Sequence, residues 1–207
     1  QVYNNITEAD STTTAVKETY GQMILTDEGT VANTYYYSTS CGVGTTAKIW
    51  KTAEAQMLDY LKSSRLSPEN FAQTDDGAVA AGSTEITTET TAEDLSEEEA
   101  FRDFITKTHA EDYEAQEGWY RWTYTVKEID VDRMLETLKK RYEANGKLIL
   151  TLKDGDYCSQ SIKNFSKVTD ISIVKRGPGG VADELVIATD KGTYKIISEY
   201  NIRAVLC

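Results

Sequence analysis

Val168 to Ser198 reads VTDISIVKRGPGGVADELVIATDKGTYKIIS, and the fold turns on this stretch. Three candidate strands, Val168–Lys175, Asp183–Ala188 and Thr193–Ser198, are separated by turn chemistry at Gly177-Pro178-Gly179-Gly180 and Asp190-Lys191-Gly192. With Leu148–Leu152 they predict a β meander filling the final third of the chain, closed by a short helix from Glu199 to Leu206. Arg176-Gly177-Pro178-Gly179-Gly180 is glycine-rich, but it joins two strands and does not open a helix. It therefore lacks the helix N-terminus that a phosphate cradle requires, and reads as a tight turn.

Toward the N-terminus, Asp130 is placed to cap a helix with apolar residues Val131, Met134, Leu135, Leu138 and Tyr142, ended by Asn145-Gly146. Trp119–Lys127 alternates as a strand, with Tyr120, Trp122, Tyr124 and Val126 on one face. Ser96 and Glu99 form a capping-box pattern before a helix carrying Phe101, Phe104 and Ile105. Ile49–Arg65 has helix-compatible spacing at Trp50, Ala53, Met57, Tyr60 and Leu61. Ser11 reads as the N-cap of a helix through Tyr20, stopped by Gly21. Gln22–Thr26 and Val31–Tyr37 then read as a hairpin turning at Asp27-Glu28-Gly29. Residues 67–93 are acidic, threonine-rich and nearly free of large apolar groups, the composition of a flexible insertion. The expectation is an α+β fold over residues 1–207, with a mostly antiparallel sheet and several packing helices.

The 207 residues can form one large domain or two small ones. A chain of this length buries roughly 70% of the surface it exposes unfolded, so neither disulfide nor metal staple is required. Net charge is −12, which argues against a phosphate-tracking nucleic-acid binder or a protein of anionic membrane surfaces. No apolar run approaches the ~20 residues of a membrane helix. Cys41, Cys158 and Cys207 are odd in number, far apart and without CxxC spacing, so no disulfide framework or zinc knuckle is expected. A nucleophilic Cys41 would need a basic partner, and the single histidine, His109, is distant in sequence; a packed thiol is favoured.

Thr34–Thr46, TYYYSTSCGVGTT, is the candidate functional stretch. Tyrosine rings offer flat apolar faces with a polar tip, and Ser38, Thr39 and Ser40 add hydroxyls on a glycine-hinged loop. That combination suits a sugar, whose C–H face stacks while its hydroxyls need partners. On the residues alone, ordinary packing of an edge strand and turn is the favoured reading. No P-loop, HExxH or GxSxG is present, and Glu97-Glu98-Glu99 reads as a solvated helix start. Arg203 is favoured to pair internally with Glu199, while Arg121 is left open between ligand anchor and internal partner.

The order of segments resembles the stage II sporulation protein D family, which includes the amidase-enhancer proteins. Gln1-Val2-Tyr3, Ala15-Val16 with Thr19 and Gly21, and Tyr36-Tyr37-Ser38-Thr39-Ser40-Cys41-Gly42 carry it first. Trp50, Tyr60-Leu61, Trp119-Tyr120-Arg121-Trp122, Asp170-Ile171 and Lys175-Arg176-Gly177 follow. Gly179-Gly180, Glu199-Tyr200-Asn201-Ile202-Arg203 and Leu206 complete the series. The resemblance implies a bacterial cell-wall protein outside the cytoplasmic membrane, secreted or tethered through another segment. It implies peptidoglycan glycan strands as ligand and other cell-wall hydrolases as further partners, with no cofactor. Members of that family include lytic transglycosylases acting on strands without stem peptides, in which one glutamate serves as acid and then base. That glutamate, and the zinc ligands of some members, belong to segments that this chain does not contain. The expectation is therefore an N-terminally incomplete domain, a processed product or fragment, with no catalytic or metal residue of its own. Tyr36, Tyr37, Ser38, Thr39, Ser40, Cys41 and Gly42 are carried over as glycan-contacting residues. Tyr37 replaces a common histidine and Cys41 a common glycine. The alternative reading is a non-catalytic peptidoglycan-binding or amidase-regulating module.

Overall fold

A computed structural model describes residues 9–67 and 94–207. The acidic stretch expected as an insertion lies, but for Ser67, outside the described residues. The fold is α+β: the described residues form four α-helices and one five-stranded antiparallel sheet. The chain divides into two compact units, Gln1–Tyr36 and Tyr37–Cys207.

The N-terminal unit holds helix α1, Asp10–Glu18. Its N-cap is Ala9 and Ser11 sits inside the first turn, so the expected serine cap does not form. Asp10 instead brings a carboxylate to the positive end of the helix. Gly21 takes a left-handed φ of 79°, as its place after the helix predicts. The expected hairpin reduces to a single bridge, Leu25 to Val31, with Gly29 N–H donating to the Thr26 carbonyl across the turn. Met23, Ile24, Leu25 and Val31 stay exposed. An isolated two-stranded ladder that buries nothing is only marginally stable, so the strands do not extend toward Tyr37 as expected.

The second unit is organised by its C-terminal third. Helix α2 spans Glu98–Thr106 and α3 Val131–Ala144; the strands are β1 Ile149–Lys153, β2 Asp156–Cys158, β3 Val168–Arg176, β4 Ala182–Thr189 and β5 Gly192–Ile197; α4 is Glu199–Leu206. Sheet order is β2-β1-β5-β4-β3. Register lines up Ile149, Ile196, Leu185 and Ile173 in one row, and Thr151, Tyr194, Ile187 and Ile171 in the next. Helices α3 and α4 cover this face, and Met134, Leu138, Ile202 and Val205 complete the core. Each fully buried Leu or Ile in these rows contributes about 1.5–3 kcal/mol. The four expected strands match to within a residue or two at their ends. The short β2 is additional, joined through Asp154-Gly155, whose φ values of 52° and 95° are those of a two-residue hairpin turn.

Three expectations between these landmarks change. Ile49–Arg65 is not one helix but two 3-10 turns, Ala47–Trp50 and Ala55–Met57, separated by Lys51 at φ 55°. Ala47, Ala55 and Leu58 form a small cluster there, backed by Trp50 and Leu61. Trp119–Lys127 makes no ladder: Tyr120 is buried, while Trp122, Tyr124 and Val126 are exposed on an unpaired run. The alternation was real but only its first residue reaches a core. Ser96 does not cap α2, because its N–H and hydroxyl both donate to Asp94 Oδ1, and Glu97 takes the cap position.

Candidate functional site

The loop from Tyr37 to Gly42 enters the second unit and is pinned by residues distant in sequence. Gly42 has φ 96°, and a Cβ there would lie 1.8 Å from Asp112 Oδ2, so only glycine fits. Gly42 and Gly44 pair with the chain at Ser64–Leu66: Leu66 N–H donates to the Gly42 carbonyl at 2.8 Å and Gly44 N–H to the Ser64 carbonyl at 2.9 Å. Below this ribbon, Val43, Leu95 and Phe104 form an apolar cluster against which the half-buried Cys41 packs. The packed-thiol reading of Cys41 therefore holds, its Sγ lying 3.8 Å from the Val43 carbonyl.

Asp112 is the hub. Its side chain is fully buried; Oδ1 accepts from Arg65 Nε at 2.6 Å and Oδ2 from the Tyr120 hydroxyl at 2.5 Å. A buried carboxylate is tolerated only with such partners, since leaving it unpaired costs several kcal/mol. Burial, and then the bond to Asp112, push the Tyr120 hydroxyl up to about 12. Arg121 lies 3.8 Å over the Tyr120 ring and donates to the carbonyls of Lys107 at 2.8 Å and Cys41 at 3.0 Å. The open choice for Arg121 thus resolves inward: its guanidinium splices the 119–122 segment to the Cys41 loop. Arg203 pairs with Glu199 at 2.7 Å, as favoured. His109 stacks on Phe104 at 4.5 Å, with Nε2 at 3.1 Å from the Phe104 carbonyl.

On the solvent side, the Ser40 hydroxyl donates to Glu114 Oε2 at 2.7 Å and accepts from Gly42 N–H at 3.1 Å. Tyr37 is 58% exposed. Partial burial, and then the charges of Glu114 and Cys41, raise its hydroxyl above the usual tyrosine range. Ser38 is exposed and Thr39 half-buried. Tyr36 is the last residue of the N-terminal unit and is 75% exposed. Of the seven expected contact residues, then, Tyr37 and Ser38 face solvent in the second unit. Gly42 and the Cys41 thiol are structural, and Ser40 is engaged internally. Glu114 was not singled out from the sequence: it lies in an acidic run, HAEDYEAQEG (109–118), and its partner is 74 residues away.

Elsewhere, an open cleft of about 300 Å³ is lined by Ser96–Glu98 and Ile173–Arg176. Two of its charged residues pair with each other, and Lys175 pairs with Asp183 and Glu184. Arg176 donates to Glu98 at 2.6 Å and lies 3.8 Å over the Phe101 ring, and that bond first of all holds Glu98 below the ordinary carboxylate range. The Gly177–Gly180 turn is packed too: a Cβ at Gly179 would meet the Gly44 carbonyl at 2.3 Å, and one at Gly180 would meet Phe101 at 2.1 Å. Among the described residues no group of three or more His, Cys, Asp or Glu is placed to hold a metal ion. No helix among them is long and apolar enough to cross a membrane.

No curated protein and no solved structure matches the chain. Residues 45–207 match a family described as a domain of unknown function (DUF8618), a span that includes Asp112, Glu114, Tyr120 and Arg121 but starts after the Tyr37–Gly42 loop. The match covers well over half of the sequence, and the chain belongs to the DUF8618 family.

Proposed function

We propose that this chain is the glycan-binding portion of a bacterial peptidoglycan-acting protein, working outside the cytoplasmic membrane. It contributes sugar contacts rather than acid–base chemistry, in keeping with the resemblance to the sporulation protein D family. One observation carries this reading: Tyr37 and Trp122, both mostly exposed, sit on two segments that the Arg121–Cys41 bond ties together. Aromatic faces held on a pinned backbone stack on sugar C–H faces with little ordering cost. The buried carboxylate of the network, Asp112, spends both oxygens on Arg65 and Tyr120 and offers no proton relay to a ligand. The lytic activity of the resembled family is therefore assigned to no residue of this chain.

The test is co-sedimentation with purified peptidoglycan stripped of stem peptides. The chain pellets with the glycan, and Tyr37→Ala and Trp122→Ala each weaken binding about three- to tenfold, the worth of one aromatic stack. No pelleting of the parent chain would overturn the proposal. Release of anhydromuramic ends by the chain alone would overturn the non-catalytic assignment.

A further inference from the structure

Glu114 is a half-buried carboxylate whose partner is a hydroxyl, not a cation. The nearby positive charges are committed elsewhere. Arg65 pairs with Asp112 at 2.6 Å and Glu111 at 3.0 Å, while Arg121 gives its donors to the carbonyls of Lys107, Cys41, Tyr120 and Phe104 and to the Tyr120 hydroxyl. Among the described residues Glu114 takes part in no ion pair. Ser40 fixes its orientation through Oε2, and Gly42 N–H fixes Ser40 in turn. A hydroxyl has one proton to give, so Ser40 has none left for a ligand. The loop that the sequence suggested would offer hydroxyl donors thus also presents an acceptor, a carboxylate held by Ser40 and close enough for its charge to act on the Tyr37 hydroxyl.

Acceptors, an unbalanced negative charge and an aromatic face together match a ligand that is a donor, cationic and carried on a flat apolar ring. An amino sugar with its nitrogen free meets that description, and an N-acetylated one does not. We propose that Glu114, with Tyr37, selects glycan residues bearing a free ammonium over their N-acetylated counterparts. The inference rests on the glycan-binding reading above. The ring stacks on Tyr37 while the ammonium donates to Glu114, the Ser40–Gly42 turn holding the carboxylate in place.

The experiment is calorimetric titration of the whole chain, at about pH 6, with β-1,4-linked tetramers of glucosamine and of N-acetylglucosamine. The glucosamine tetramer binds about five- to tenfold more tightly, the worth of one partly exposed ion pair. Glu114→Gln keeps an oxygen for Ser40, so the loop stays folded; it abolishes the preference and leaves N-acetylglucosamine affinity within about twofold. Glu143→Gln, which removes one charge from exposed α3 surface, keeps the preference. Survival of the preference in Glu114→Gln would assign it to the net charge of −12 and overturn the inference. Equal affinity of the parent chain for both tetramers would overturn it while leaving glycan binding intact, whereas binding to neither would remove the underlying reading as well.

Discussion

Tyr120 couples a single proton to the integrity of the loop scaffold. Its hydroxyl is held protonated by burial and by donation to Asp112, with a folded-state pKa of about 12 against about 10 for an unfolded tyrosine. The unfolded chain releases this proton first as pH rises, so the stabilisation is complete below pH 10 and is lost between about 10 and 12. Unfolding by urea at pH 9 and pH 11.5 is expected to show a loss of a little under ~2 kcal/mol beyond that of Tyr120→Phe, which has no such proton to lose. At neutral pH the same variant costs about 1–3 kcal/mol, because Asp112 Oδ2 loses its donor. At this scale the sequence conveyed residue types but not commitments. Tyr36–Gly42 could be read as aromatic and hydroxyl-rich, yet that Ser40 spends its proton on Glu114 depends on a contact across 74 positions. Nothing local marks Glu114 among its acidic neighbours.

Helix α3 shows an element whose cause is local. Asp130 Oδ1 accepts from Arg133 N–H at 3.0 Å, satisfying one of the amides that a helix start leaves open. Asp130→Ala is expected to cost about 1 kcal/mol, read as a shift in denaturation midpoint at unchanged slope. α3, α4 and the meander were legible because cap, periodicity and turn agree within each segment. The short β2 had its signal too, in Asp154-Gly155. The segments that misled are those where one cue stood alone. Ile49–Arg65 had spacing without caps, and Lys51 in a left-handed conformation divides it. Trp119–Lys127 had alternation, but a strand also needs a neighbour, and from Trp122 onward the side chains face solvent. The capping box at Ser96 lost to a nearer acceptor, Asp94.

Across the second unit, two kinds of interior coexist. The sheet with α3 and α4 is closed by two mainly apolar rows whose central residues, Ile149, Leu185, Ile187, Tyr194 and Ile196, are almost wholly buried, whereas the Tyr37–Leu66 and Leu95–Tyr120 segments rest on two three-residue clusters and the Asp112 network. Native-state hydrogen exchange should therefore separate them. Amides of β1, β4 and β5 exchange only through global opening, while those of Gly44 and Leu66 exchange through smaller openings and faster. Equal protection in both regions would mean that the polar hub binds the loops as firmly as the apolar rows bind the sheet.

The strand order carries a consequence for biosynthesis. β5, near the end of the sequence, lies between β1 and β4, so the β1–β2 hairpin and the β3–β4 hairpin share no ladder until residues 192–197 are available. On the ribosome both hairpins emerge with one edge waiting, and the rows through Ile196 and Tyr194 close only when this strand has left the exit tunnel. The sheet is thus completed after translation of its last strand, with α4 following as the cover of its inner face.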